Sequence, residues 1–238
     1  MRLDLFVSEA QKCTRTRAAN IIKMGGVTVN GKIALKAGEE VSPQDKVLIR
    51  DVVKYASLGG VKLENALARF SVDLTDAECL DLGAANGGFT HCMLSCGAAS
   101  VDAVDLTLAF ESPLCDDPRI SMHDGVNVKD IANIFPTKRF DFISADLSFI
   151  SLRPLFSLFY ELLKLEGRLI VLFKPQYEVG KKCLPKSGVV RDKKAIDAAF
   201  SDLKKSAEEA GFVFVGVCDV PDYFVDKNKE KTVLFSKK

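Results

Sequence analysis

From about residue 55 onward the chain alternates short apolar runs with segments of helical length, and several of those runs end on a single ionisable residue. Strands joined by crossover helices form a sheet covered on both faces, whose strands read as continuous apolar runs. Arg168-Leu-Ile-Val-Leu-Phe is the clearest such run, and Lys174 and Pro175 follow it directly. A second, Phe140-Asp-Phe-Ile-Ser-Ala, ends on Asp146. If the two are parallel neighbours, their tips lie about 5 Å apart, which brings the Asp146 carboxylate within reach of the Lys174 ammonium. Open α/β sheets hold their active sites at this carboxyl edge. The pair is therefore either an acid-base site or a structural ion pair closing the sheet, and the two residues alone do not decide between them.

Further strands are expected at 78–82, 101–105, 119–122, 212–217 and 232–235, with helices over 63–70, 152–164 and 193–210 and another ending near Cys96. Together they predict a doubly wound α/β domain of about seven strands over residues 55–238. Residues 1–54 read instead as a small α+β module. A first helix turns around 8–10, and Thr14 caps a second that stops at Gly25-Gly26. Val27-Thr-Val-Asn-Gly-Lys-Ile then alternates into an Asn30-Gly31 turn, a strong hairpin signal.

The composition, 47% hydrophobic and 27% charged over 238 residues, is that of a globular chain with room for one full domain and a small module. No apolar run approaches the roughly 20 residues needed to span a bilayer, and the first residues lack the apolar core of a signal peptide. A cytoplasmic protein is expected. Seven scattered cysteines without a C-x-x-C pair fit reduced thiols, and with only two histidines no metal site is expected. The net charge of +1 hides an asymmetry: residues 1–56 carry ten basic against six acidic residues, and 174–194 carry seven against two. Such runs are ordinarily solvated faces, but two on one near-neutral chain favour a polyanionic partner.

The stretch Asp81-Leu-Gly83-Ala84-Ala85-Asn86-Gly87-Gly88-Phe89 closes the first strand of the sheet and opens a helix. Small residues there allow close backbone approach, and helix N-terminal amides face the ligand, so a nucleotide-type cofactor is implied. Ala85 occupies the second glycine position of the dinucleotide pattern, while Asp105, about twenty residues on, ends the next strand where a carboxylate takes ribose hydroxyls. NAD and S-adenosylmethionine both use that device.

Two resemblances narrow the choice. Arg2-Leu-Asp, Thr14-Arg-x-Arg-Ala, Gly26-Val-x-Val-Asn-Gly-Lys and Val41-x-x-x-Asp45 look like the small RNA-binding module first recognised in a ribosomal small-subunit protein. Ser57-Leu-Gly-Gly-Val-Lys62, the glycine-rich turn, Ala145-Asp-Leu-Ser-Phe-Ile-Ser-Leu, Phe173-Lys-Pro-Gln-Tyr-Glu-Val-Gly-Lys, Gly188-Val-Val-Arg-Asp and Asn228-Lys-Glu230 occur in the order expected of the TlyA/haemolysin A family. That family joins the RNA-binding module to an FtsJ-type ribose methyltransferase domain, a Rossmann-like seven-stranded fold. The resemblance implies S-adenosylmethionine as cofactor, ribosomal RNA as partner, cytidine ribose as target, and Lys62, Asp146, Lys174 and Glu230 as the catalytic set. It implies a cofactor site along Asp81 and Gly83 to Gly88, with Asp105 at the ribose, Asp124 and Asn127 near the adenine, and Asp146 at the reacting end. Arg2, Arg15, Arg17, Lys23, Lys32, Lys181 and Lys182 are the expected RNA contacts. Leu58, Asn86 and the stretch after Asp105 depart from the family's usual residues.

A ribose 2′-hydroxyl is a poor nucleophile, so such an enzyme must align it with the methyl donor and relieve it of its proton. Lys174 either accepts that proton or, charged, stabilises the developing alkoxide. Two other classes compete: a membrane-active haemolysin, which the sequence supports with neither a spanning segment nor a long cationic amphipathic helix, and a noncatalytic RNA-binding or ribosome-assembly protein.

Overall fold

A computed structural model describes residues 1–50, 52–180, 183–220 and 228–238. Lys181 and Lys182, two of the expected RNA contacts, lie outside the described residues.

The N-terminal module packs α1 (Leu3–Gln11) against α2 (Arg15–Lys23) over a small antiparallel sheet of β1 (Val27–Val29), β2 (Lys32–Ile33) and β3 (Val47–Ile49), with β1 central. The Thr14 hydroxyl accepts from the Arg17 N–H, which fixes the start of α2. Asn30 and Gly31 both take positive φ, as the two-residue turn between β1 and β2 requires. Leu3, Val7, Ala18, Ile21, Ile22, Val27 and Val53 form its core.

The chain then passes from one core to the other within three residues. Val53 belongs to the module's core, whereas Tyr55 is enclosed in the core beneath α3 (Leu58–Phe70) and α4 (Gly88–Ser95). α3 begins earlier than the sequence pattern predicts, because Gly59-Gly60 does not break it. Ser57 caps the helix, and a Cβ on Gly60 would run into the Tyr55 ring, so the glycines serve close packing.

The sheet comprises β4 (Glu78–Leu82), β5 (Ser100–Asp105), β6 (Ile120–Asp124), β7 (Phe140–Ala145), β8 (Leu163–Phe173), β9 (Phe212–Asp219) and β10 (Lys231–Lys237). Their order is β6-β5-β4-β7-β8-β10-β9, with β10 antiparallel to both its neighbours and β4 to β8 parallel. Strand residues alternate between two apolar layers. Cys79, Phe142, Ile170 and Leu234 face α3 and α4, while Leu80, Ile143, Leu169 and Val233 face α5 (Ile131–Ile134), α6 (Phe156–Leu162) and α8 (Lys193–Glu209). The predicted helix over 152–164 is shorter than expected. A 3-10 turn through Arg153–Leu155 precedes α6, and β8 starts at once, bending where Glu166 takes a positive φ beside Gly167.

Strand order reverses between β4 and β7, and such a switch point opens a crevice at the carboxyl ends. A Cβ on Gly83, just past β4, would sit 2.6 Å from the Asp146 carbonyl oxygen just past β7. Glycine is what lets the two strand ends approach here.

Candidate active site

The glycine-rich turn leaves β4 with Gly83, Ala85 and Gly87 at positive φ and enters α4 at Gly88. Asp81 is wholly enclosed beneath it. The Thr90 hydroxyl of α4 donates to one carboxylate oxygen at 2.7 Å and the Ser144 hydroxyl of β7 to the other at 2.9 Å. Burial pushes the Asp81 carboxyl up to about 6, against the pull of those two hydroxyls. Asp81 therefore ties α4, β4 and β7 together and presents no surface to a ligand, whereas Gly83, Ala85 and Asn86 of the turn remain accessible.

Asp105, at the end of β5, accepts from the Ala85 N–H at 3.0 Å and the Thr107 N–H at 3.1 Å. Asp124, at the end of β6, accepts from the Leu108 N–H at 2.7 Å. The unusual stretch after Asp105 thus folds back onto the turn: the Ala109 N–H donates to the Ala85 carbonyl, and the Asn86 amide reaches the Ala109 carbonyl. Asn127 is exposed and caps a short 3-10 turn with its side chain.

The expected pairing at the sheet edge forms. Lys174 follows β8, is 8% exposed, and places Nζ 2.7 Å from Asp146 Oδ1. That contact lies off the hydrogen-bonding direction, leaving the buried oxygen without an aligned donor. The aligned bond from Lys174 goes instead to the exposed Ser148 hydroxyl, at 2.9 Å. Beside this pair, Lys62 of α3 donates to Glu230 at 2.6 Å. The register of β10 on β8 pairs Lys231 with Phe173, so Glu230 and Lys174 are the next residues along the two strands. Residues separated by up to 168 positions are thereby gathered on three neighbouring strand ends and one helix.

Several residues of this edge were not singled out individually from the sequence. Ser148 is one. Glu178, at the end of α7 (Pro175–Glu178), is another: its buried carboxylate accepts from the Ser151 hydroxyl and the Leu152 N–H, each at 2.7 Å, and so clamps the loop carrying Asp146 to the segment carrying Lys174. Phe149 is 90% exposed at a positive φ, with its ring 5.3 Å from that of Tyr177. Asn228 holds its own segment against residues 188–190, accepting from the Val190 N–H and donating to the Gly188 carbonyl, each at 2.8 Å. All lie within or beside stretches that the motif comparison marked, but the sequence does not say which of their side chains point at one another.

The module's cations divide. Arg2 and Arg15 both bind Asp4, and both remain more than half exposed. Arg17, an expected RNA contact, is half-buried and donates to the Val53 and Tyr55 carbonyls at 3.5 and 3.4 Å, pinning the linker. Lys23 is half-buried near the end of α2, and Lys32 is exposed on β2. A cavity of about 690 Å³ lies between the α1–α2 turn and the segment after Asp105, lined by Lys12, Arg17, His91 and Arg119 among others, and it meets the cofactor turn at Asn86. Among the described residues no cluster of metal-ligating side chains occurs, and no helix is long and apolar enough to cross a membrane.

Comparison with known proteins agrees with this architecture. The FtsJ-like methyltransferase family matches residues 55–238, and the S4 domain matches residues 1–47. Hemolysin A of Brachyspira hyodysenteriae is 32% identical, with 87% of this chain and 92% of that protein covered. The 23S rRNA (cytidine-2′-O)-methyltransferase TlyA of Campylobacter jejuni is 31% identical, with 90% of each covered. The solved structure of a candidate hemolysin from Streptococcus thermophilus superposes with a TM-score of 0.77 at 29% identity, covering 100% of this chain and 88% of that one. With its S4 domain ahead of a seven-stranded mixed sheet of this order, the chain belongs to the FtsJ-like methyltransferase family, among the proteins named TlyA or hemolysin A.

Proposed function

We propose that this protein is an S-adenosylmethionine-dependent 2′-O-methyltransferase that modifies cytidine ribose in ribosomal RNA, with residues 1–54 capturing RNA, residues 55–238 transferring the methyl group, and the cytoplasm as its place of work. The observation that carries the reading is the Lys174–Asp146 contact beside the Lys62–Glu230 pair, at a strand-order switch and against a glycine-rich turn. The comparisons with methyl-transferring relatives support the cofactor and the target.

The turn suits the cofactor. Gly83, Ala84, Ala85, Asn86, Gly87 and Gly88 offer a narrow backbone-lined approach at a helix start, and Asp105 and Asp124 stand at the ends of the next two strands. Each carboxylate oxygen has two lone pairs, so Asp105 can brace Ala85 and still accept from a ribose hydroxyl. When bound, S-adenosylmethionine supplies an electrophilic methyl group. Lys174 receives the 2′-hydroxyl proton or stabilises the alkoxide, Asp146 holds the lysine in place, and Lys62 with Glu230 sets the charge beside it. Phe149 and Tyr177 offer an exposed aromatic face at the rim, the kind of surface on which an unstacked base rests.

Incubation with labelled S-adenosylmethionine and separated ribosomal subunits, followed by mapping of the modified ribose, tests the reading. Label on a cytidine 2′-oxygen is expected. Transfer to a base or to protein, or no transfer while RNA binding persists, overturns it, the last outcome favouring a noncatalytic RNA-binding role.

A further inference from the structure

At the start of α1 one enclosed carboxylate holds two exposed guanidiniums. Asp4 is 5% exposed. Arg2 meets it with Nε at 3.0 Å from Oδ1 and Nη2 at 2.9 Å from Oδ2, and Arg15 brings its own Nη2 to 2.9 Å from that same Oδ2. Two like charges this close repel unless a counter-charge lies between them. Asp4 supplies it, and the hydrogen bonds from Arg2, and then Arg15, hold its carboxyl well below the usual range despite burial, so it stays ionised at neutral pH. The three side chains together carry one positive charge in excess, and Glu40, whose charge also acts on Arg2, is balanced by the N-terminal ammonium at 3.1 Å. Its spacing is set by the fold, since Arg2 precedes α1, Arg15 opens α2, and the two helices are locked by Leu3, Val7, Ala18 and Ile21.

An exposed surface ion pair is ordinarily worth little, and a simple one places both partners in water. Here the acid faces inward and both forks face outward, each with N–H groups beyond those given to Asp4. Planar forks held side by side match the oxygens of a phosphodiester far better than mobile ammonium groups do. We infer that Asp4 is the positioning residue of a phosphodiester-binding site, holding the guanidiniums of Arg2 and Arg15 at the spacing that grips one RNA phosphate. The inference rests on the RNA-capturing part of the proposed function and adds the residue that organises the contact.

The test exploits a conflict of sign. Asp4→Asn removes a negative charge from a basic surface, so bulk electrostatics alone would tighten binding to RNA. Loss of positioning weakens it instead, by roughly tenfold, the scale of one charge-assisted contact. Affinity of the full-length protein for labelled 16S and 23S ribosomal RNA is measured at two salt concentrations, with thermal unfolding monitored in parallel. Weaker binding by a folded Asp4→Asn protein supports the inference, and tighter or unchanged binding overturns it. Because Asp4 also opens α1, a second variant, Arg2→Lys with Arg15→Lys, keeps the net charge but not the forks. Binding like that of the wild type by this variant also overturns the inference. Sodium polyphosphate serves as a separate probe. If wild type binds polyphosphate but not ribosomal RNA, and both variants lose polyphosphate, the site stands and the RNA reading fails. If wild type binds neither, both fail.

Discussion

The N-terminal module and the carboxyl edge of the sheet both set acids against cations, with the burial reversed. In the module Asp4 is inside and the guanidiniums of Arg2 and Arg15 are outside. At the sheet edge Lys174 is the enclosed partner, its side chain 10% exposed against 21% for Asp146. Outward cations with a buried counter-charge attract polyanions over a distance and are weakened by salt. An enclosed lysine beside a carboxylate is screened far less and acts only on what is delivered to it. Asp81 marks a third case, an enclosed carboxylate that receives two hydroxyls and, among the described residues, no cation, and its proton affinity moves opposite to that of Asp4. Burial combined with partner decides the outcome, and neither is visible in a count of charges.

The largest effect expected from breaking this contrast is at Lys174. Lys174→Ala should lower the single-turnover methyl-transfer rate by roughly 10² to 10⁴, the range for a positioned general base, with little change in cofactor or RNA affinity. A fully active variant would show the site to be misassigned. Lys174→Arg carries the module's kind of cation into the sheet edge and should not rescue, because a guanidinium does not give up its proton near neutral pH and its fork needs a different space. Near-normal turnover by that variant excludes proton acceptance and leaves electrostatic stabilisation.

A smaller loss is expected at Ser148, whose hydroxyl receives the aligned hydrogen bond from Lys174. A lysine nitrogen has three directions beyond its carbon. With one turned to Ser148, and Asp146 met at 2.7 Å off the hydrogen-bonding line, a direction is left for the ribose. Ser148→Ala should reduce the single-turnover rate about tenfold, the scale of one hydrogen bond to a charged group. Ser148→Thr should restore most of it. If Thr fails as badly as Ala while affinities and stability hold, orientation of the lysine is not what the hydroxyl provides.

Asp81 should give the smallest effect, seen in stability rather than rate. Its carboxyl lies higher in the fold, near 6, than its ordinary 3.8. An acid shifted upward stabilises the fold below its unfolded pKa, and that contribution is lost as pH rises through the folded value. Relative to Asp81→Asn, wild-type Tm should therefore gain as pH is lowered from 7 toward 4. A constant difference across that range would mean that the charged form is better solvated than its enclosure implies.

The sequence by itself marked the strands of the α/β sheet and the turn after β4, because continuous apolar runs and glycines are local signals, while the facing tips of β7 and β8 followed only on the condition that those strands are parallel neighbours, which the fold supplies. It also marked the Asn30-Gly31 hairpin and the Thr14 cap, where the chemistry lies within a few residues. It misplaced the start of α3, since Gly59-Gly60 looks like a break until the Tyr55 ring is packed against it. It grouped Arg17 with Arg15, although neighbouring arginines on one helix point to different surroundings, one to the linker carbonyls and one to Asp4. Only the tertiary structure decided which residue Lys174 bonds, that Glu178 clamps the two active-site segments, and that Asp4 organises an arginine pair. Each of these depends on side-chain direction between segments distant in sequence, and periodicity along one segment carries no information about what the next will place opposite it.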